Sequence, residues 1–223
     1  MSLCTLRTPL VSALGRRFRV VLASGSPRRK ELLDRLGIEY EVIPSGFAED
    51  LDKSQFATAG DYVVENAAQK AGEVYRRVRG GSARPLFVIG ADTVVVDAGG
   101  AILEKPASGS DAAATLKGLG GKTNTVHTGV CLVVDDTTRS SGGEPRVLKA
   151  LESTEVVFGE VDDAMAEVYA ATGEPMDKAG SYAYQSLACF FVSAIRGDYY
   201  NVVGFPCARF YQMLRELDAQ GAI

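Results

Sequence analysis

The run Pro85-Leu86-Phe87-Val88-Ile89-Gly90-Ala91 is apolar without alternation and ends on an acid, Asp92. A strand that is apolar on both faces must be covered on both, which predicts a central buried strand in an α/β sheet. The carboxylate delivered at its end is costly there without a partner, a metal or water. Val94-Val95-Val96 continues in extended form, Gly99-Gly100 predicts a turn, and Ile102-Leu103-Glu104-Lys105 returns as a hairpin. With Gly99-Gly100 as a two-residue loop, Val94 opposes Lys105. Asp92 and Lys105 then become diagonal neighbours on one face, with Cβ atoms roughly 7–8 Å apart. That gap would admit a phosphate or a metal, whereas a three-residue loop would flip the parity.

A second feature lies upstream. Phe18–Leu22 reads as a buried strand, and Ser26 followed by Pro27 predicts a helix start, with Leu32, Leu33 and Leu36 at helical spacing and Gly37 closing it. Arg28, Arg29 and Lys30 place positive charge on a helix end that is already positive. Free N–H groups, hydroxyls and guanidinium groups together suit a phosphate, although a solvated basic patch has the same composition.

Tyr40–Pro44 predicts a short strand and Ser45–Asp50 an acidic loop. Residues 60–79 predict a helix with Val64, Ala67, Ala71, Val74 and Val78 inward and Lys70 at the edge of that stripe. Residues 108–119 predict another, with Ala112, Ala113, Leu116 and Leu119 inward. Gly120-Gly121-Lys122-Thr123 is not a phosphate-binding loop, because the required first glycine is Leu116 and a helix precedes it. Strands follow at 128–134 and 147–157, joined by an exposed polar loop, and Asp162 or Asp163 caps a helix ending at Gly173. Residues 173–185 have no period and suit a loop that lines a site, with Asp177 and Lys178 forming at least an ion pair. Phe190–Ile195 and Tyr199–Val203 read as strands about a turn at Asp198, and Pro206 opens a last helix with Phe210, Met213, Leu214 and Leu217 inward. The alternation predicts one α/β domain with a mixed, partly parallel sheet flanked by helices, spanning 18–223. Residues 1–17 carry Arg7, Arg16 and Arg17 without an acid and are expected to be a disordered extension.

The charge balance, 24 basic against 28 acidic residues for a net −4, argues against non-specific nucleic-acid binding. No apolar run reaches the roughly 20 residues of a membrane span. Four dispersed cysteines and a single histidine argue for a reducing, cytoplasmic compartment. They also argue against a zinc site, so a metal would be Mg²⁺ or Mn²⁺ on oxygen ligands.

Five motifs occur in order: Ser24-Gly25-Ser26-Pro27-Arg28-Arg29 with Glu31-Leu32-Leu33; Gly90-Ala91-Asp92-Thr93-Val94; Leu103-Glu104-Lys105-Pro106; Asp177-Lys178-Ala179-Gly180 with Tyr182 and Gln185; and Asn201-Val202-Val203-Gly204-Phe205-Pro206. With them the chain resembles the Maf family of nucleotide pyrophosphatases. The resemblance implies two lobes around a substrate cleft, a fold similar to inosine triphosphatases, and a homodimer. It also implies hydrolysis of nucleoside triphosphates to monophosphate and pyrophosphate with a divalent metal. On this resemblance Asp92 is the proton acceptor and Arg28, Thr93 and Gln185 take part in substrate choice. Ser24, Arg29, Glu49, Lys70 and Lys105 complete the cleft, and Asp92 and Glu49 are candidate metal ligands. The Glu104-Lys105-Pro106 and Gln185 pattern is similar to the branch acting on dTTP and UTP. Asn124 and Ser186 stand where members commonly have histidine and glycine. A regulator that binds nucleotides without turnover, and a pyrophosphatase for modified purine nucleotides, are the alternatives.

Overall fold

A computed structural model describes residues 8–135 and 144–223, so most of the polar loop expected between the strands near 134 and 147 lies outside the described residues. The expected disordered extension does not hold over α1 (Pro9–Arg17). There Thr8 caps the helix by accepting from the Val11 N–H at 3.2 Å, and Val11 and Leu14 are buried. The arginine-rich composition conceals this helix, because Arg16 and Arg17 sit in its last turn, where they complement the dipole.

After β1 (Arg19–Leu22), α2 (Pro27–Arg35) begins where expected. Gly37, at φ +72°, closes it in the left-handed region. β2 (Glu41–Val42) runs parallel to β1, and α3 (Ala59–Val78) precedes the eleven-residue β3 (Leu86–Val96). The buried face of α3 includes Val63, Ala67, Ala71 and Val74, one position off the expected stripe at its N-terminal end.

β4 (Ile102–Leu103) pairs with β3 through Val95–Leu103 and Val96–Ile102. The turn therefore has three residues, Ala98-Gly99-Gly100, closed by Asp97 N–H to Ala101 C=O at 3.0 Å. Asp97 is the reason: its carboxylate accepts from the N–H groups of Gly99 and Ala101, each at 2.8 Å, and Gly100 takes φ +88°. The parity is thus opposite to the one expected, and Asp92 and Lys105 are not diagonal neighbours on one face.

α4 (Gly109–Leu119), β5 (Thr123–Val134), β6 (Arg146–Phe158) and α5 (Asp163–Ala171) follow, with Ser108 and Asp162 as helix caps. β7 (Val192–Arg196) is the last strand, because Tyr199–Val203 forms a helix, α6, rather than a returning strand. Asp198 caps α6 by accepting from Tyr200 N–H at 2.8 Å, and Gly204 ends it at φ +119°. These end signals override the strand propensity of Tyr and Val. α7 (Cys207–Ala219) buries Phe210, Met213, Leu214 and Leu217 as expected.

The mixed sheet has the order β2-β1-β3-β5-β6-β7, parallel among β2, β1 and β3 and antiparallel elsewhere. On one face of β3, Phe87, Ile89 and Ala91 join a core with α1, α2 and α7, while Val95 joins a second core with α4 and α5. Thr93, between them on that face, belongs to neither. Its partner across the ladder is Thr128, which lies between Val126 of the second core and Val130 of the first. The apolar packing is therefore interrupted at a threonine pair, and the two lobes part there. β1 pairs with β3 only as far as Ile89 and β4 only from Val95, which leaves Gly90–Val94 open along one strand edge.

Candidate active site

A cleft of about 900 Å³ lies along that open edge. All nine residues singled out from the sequence line it: Ser24, Arg28, Arg29, Glu49, Lys70, Asp92, Thr93, Lys105 and Gln185.

The connection from β1 into α2 forms one wall. Ser26 occupies the cap position but makes no side-chain cap bond; its N–H instead donates to Ser24 Oγ at 3.3 Å. Arg29 turns inward and is buried. Its Nε donates to Gly204 O at 3.0 Å, Nη1 to Ser24 Oγ at 3.0 Å and Nη2 to Thr93 Oγ1 at 3.1 Å. Burial holds its pKa below the usual guanidinium value, with Asp92 pulling the other way. Three of its five N–H groups serve the protein, and two remain for a ligand.

The opposite side of β3 carries the acid–base group. Lys70, 7% exposed on α3, places its ammonium 2.8 Å from Asp92 Oδ1 and 2.8 Å from Glu49 Oε2. Asn66, one turn earlier on the same helix, donates from Nδ2 to Asp92 Oδ2 at 3.2 Å. The two oxygens of this buried carboxylate are thus each engaged, one by an ammonium and one by an amide N–H. Glu49 has φ +57°, a strained backbone for a residue with a side chain, of the kind that gathers at ligand sites.

The third wall is the irregular segment 173–185. Asp177 pairs with Lys178, as expected, and also stands 3.6 Å from Arg28 across the cleft. Burial pushes the Asp177 carboxyl up, but Lys178 and Arg28 outweigh it and hold it below the usual range. Lys105 and Gln185 are exposed at the rim, and among the described residues Lys105 has no hydrogen bond or ion pair. Lys53 closes another part of the rim through an ion pair with Glu104.

Asn66, Thr128 and Asn201 are polar, buried and connected to the site; sequence reasoning gave Asn66 and Thr128 no part in it and met Asn201 only as a member of a motif. Asn66 sits one turn before Lys70, and Thr128 alternates with Val126, Val130 and Leu132 on one face of its strand; those spacings were the available signals. Asn124 is buried away from the cleft, accepting from Tyr182 O–H at 2.8 Å and donating to Val156 O at 3.2 Å. Ser186 bonds to Glu174.

A family model described as Maf-like protein matches residues 19–217, from β1 into α7. The chain belongs to the Maf family. A human relative, named a probable bifunctional dTTP/UTP pyrophosphatase/methyltransferase protein, is 46% identical to this Maf protein over 200 residues. The match takes in 89% of this chain and 32% of the human protein, so the present chain spans about a third of that relative. The dTTP/UTP pyrophosphatase of Thermococcus gammatolerans is 44% identical over 199 residues, covering 89% of this Maf chain and 96% of its own. Among solved structures, the Staphylococcus aureus Ham1 protein aligns with a TM-score of 0.41 and 15% identity, over 91% of this chain and 99% of that one.

Among the described residues no group of three or more His, Cys, Asp or Glu side chains could hold a metal. No helix of the described residues is long and apolar enough to cross a membrane.

Proposed function

We propose that this Maf protein hydrolyses nucleoside triphosphates, with UTP and dTTP as preferred substrates, to the monophosphate and pyrophosphate. The observation that carries the reading is the buried Asp92 carboxylate, tied to Lys70 and facing a wall of arginines across an open strand edge. The names of the two relatives support the choice of UTP and dTTP.

In this reading a water bound at Asp92 gives it a proton as the water oxygen bonds to the α-phosphorus. The bond from that phosphorus to the α–β bridging oxygen breaks, and pyrophosphate leaves with the electron pair. Two of the three Lys70 protons are taken by Asp92 and Glu49, which leaves one for a phosphate oxygen. Arg28, Arg29 and Lys105 stabilise the charge on the leaving group. Gln185 offers both a donor and an acceptor to the imide edge of uracil or thymine.

Asp92 and Glu49 suit a Mg²⁺ or Mn²⁺ ion that arrives with the nucleotide, since Mg²⁺ commonly takes one or two carboxylates and completes its shell with phosphates and water. When bound, the ion would supply Lewis-acid polarisation of the phosphoryl oxygens. A homodimer is supported by apolar side chains left in the open beside the Tyr169–Phe191 ring contact, Val168 at 69% and Phe190 at 77% exposure. A cytoplasmic setting fits the free thiols of Cys131, Cys189 and Cys207.

Pyrophosphate release from a panel of pyrimidine and purine triphosphates, with Mg²⁺ or Mn²⁺, tests the reading. UTP and dTTP are expected to lead, and Asp92→Asn should lower kcat by about 10²-fold or more while nucleotide binding persists. Tight binding with no turnover by the wild type would favour a regulator instead.

A further inference from the structure

The hydroxyls of Ser24 and Thr93 flank the Arg29 guanidinium, and their protons are committed in opposite ways. Ser24 Oγ accepts from Arg29 Nη1 at 3.0 Å and from Ser26 N–H at 3.3 Å. Both lone pairs are occupied, so its proton is left to donate into the cleft. Thr93 Oγ1 accepts from Arg29 Nη2 at 3.1 Å and lies 3.0 Å from Thr128 Oγ1. Thr128 is fully buried, and on its far side stands the Asn201 backbone carbonyl at 3.3 Å.

A carbonyl only accepts, so the bond to Asn201 takes the single Thr128 proton. The proton between the two threonines then comes from Thr93. This direction gives three bonds in series, Arg29 to Thr93 to Thr128 to Asn201; the reverse direction gives two, and aligned bonds polarise one another. Thr93 therefore shows the cleft a lone pair and no proton.

We propose that Thr128 is a positioning residue for specificity: by taking up the Thr93 proton it makes Thr93 an acceptor, which selects a substrate group that donates and keeps phosphate oxygens on the Ser24 side. This rests on the nucleotide pyrophosphatase reading. In a uridine or thymidine nucleotide the donors are the imide N3–H and the sugar hydroxyls, whereas the base donor of cytosine is its exocyclic N4 amino group. Cytosine offers a bare N3 acceptor, and a 2′,3′-dideoxy sugar offers no hydroxyl.

The test compares kcat/KM for pyrophosphate release in two matched pairs, UTP against CTP and dTTP against 2′,3′-dideoxythymidine triphosphate. The wild type should lose about tenfold or more in the pair that removes the contacted donor, because an acceptor is then left without a partner. The pair affected identifies the donor as base or sugar. Thr128→Val, of the same shape but without the hydroxyl, should erase that ratio by freeing the Thr93 proton, and Thr128→Ser should restore it. A wild type indifferent to both pairs, or Thr128→Val keeping the wild-type ratio in the sensitive pair, overturns the proposal. Indifference of the wild type to both pairs overturns the proposal even if Thr128→Val does not fold, and Thr128→Ala then replaces it as the variant that must erase the ratio. Absence of pyrophosphate from every nucleotide would instead remove the activity itself, and the same pairs read by thermal shift would still test the polarity of Thr93.

Discussion

Cys131 lies on β5 with no exposed surface, and burial pushes its thiol up to about 12, with nearby Lys149 opposing and Glu65 adding to the rise. Burial does the same to Cys207, also to about 12, with Asp198 contributing. Only the thiolate alkylates, and a thiol of that pKa has a thiolate fraction of about 10⁻⁴ at pH 8. Cys189 is exposed on the turn before β7. Iodoacetamide at pH 8 should therefore label Cys189 well before Cys131 or Cys207, as read by peptide mass spectrometry. Early labelling of Cys131 in the folded protein would contradict the burial described. At this scale the charged members of the site were legible, because an acid directly after an apolar run, which the structure places within β3, and arginines at a helix start both break local rules. The buried neutral partners Asn66 and Thr128 were not. Thr128 is an ordinary strand residue by propensity, and only the ladder that sets it opposite Thr93 gives it meaning.

α3 approaches the sheet at two glycines. A Cβ on Gly90 would lie 2.4 Å from Ala67 O and 2.7 Å from Ala71 Cβ, and one on Gly129 would lie 2.5 Å from Val63 O. Backbone cannot move aside as a flexible side chain does, so Gly90→Ala or Gly129→Ala should cost about 3 kcal/mol. The melting temperature should then fall by about 6–12 °C for a chain of this size. Gly118→Ala is the contrast: the site is open, in the last turn of α4, and alanine there should raise stability by up to about 1 kcal/mol. Equal effects of the three substitutions would show that α3 does not rest on the strands as described. Element types and the inward faces of α4 and α7 were readable from periodicity. Turn length was not: Gly99-Gly100 is compatible with two or three residues, and the Asp97 carboxylate, which the pattern does not weigh, selects three. α6 was misread because Tyr199–Val203 is strand-like in composition, while its helix signals sit just outside it, at Asp198 and Gly204.

For the whole molecule, the apolar side chains beside α5 supply the quaternary prediction. Phe190→Asp with Val168→Asp should convert a dimer to monomers in light scattering while leaving the far-ultraviolet dichroism unchanged, because both side chains are largely exposed in the single chain. A wild type that is monomeric at micromolar concentration would rule the dimer out. The two-lobed division was expected only from resemblance. Its physical cause, a threonine pair interrupting two apolar cores, required the register of three strands that sequence periodicity does not give.

The bond from Arg29 to the Gly204 carbonyl joins positions 175 residues apart. During synthesis, at about 5–20 residues per second, roughly 10–35 s separate the appearance of the guanidinium from that of its acceptor. Over that interval the nascent chain has no completed anion wall, so nucleotide in the cell cannot stabilise it by binding. Ligand rescue of a weakened variant would begin only once Gly204 has been made.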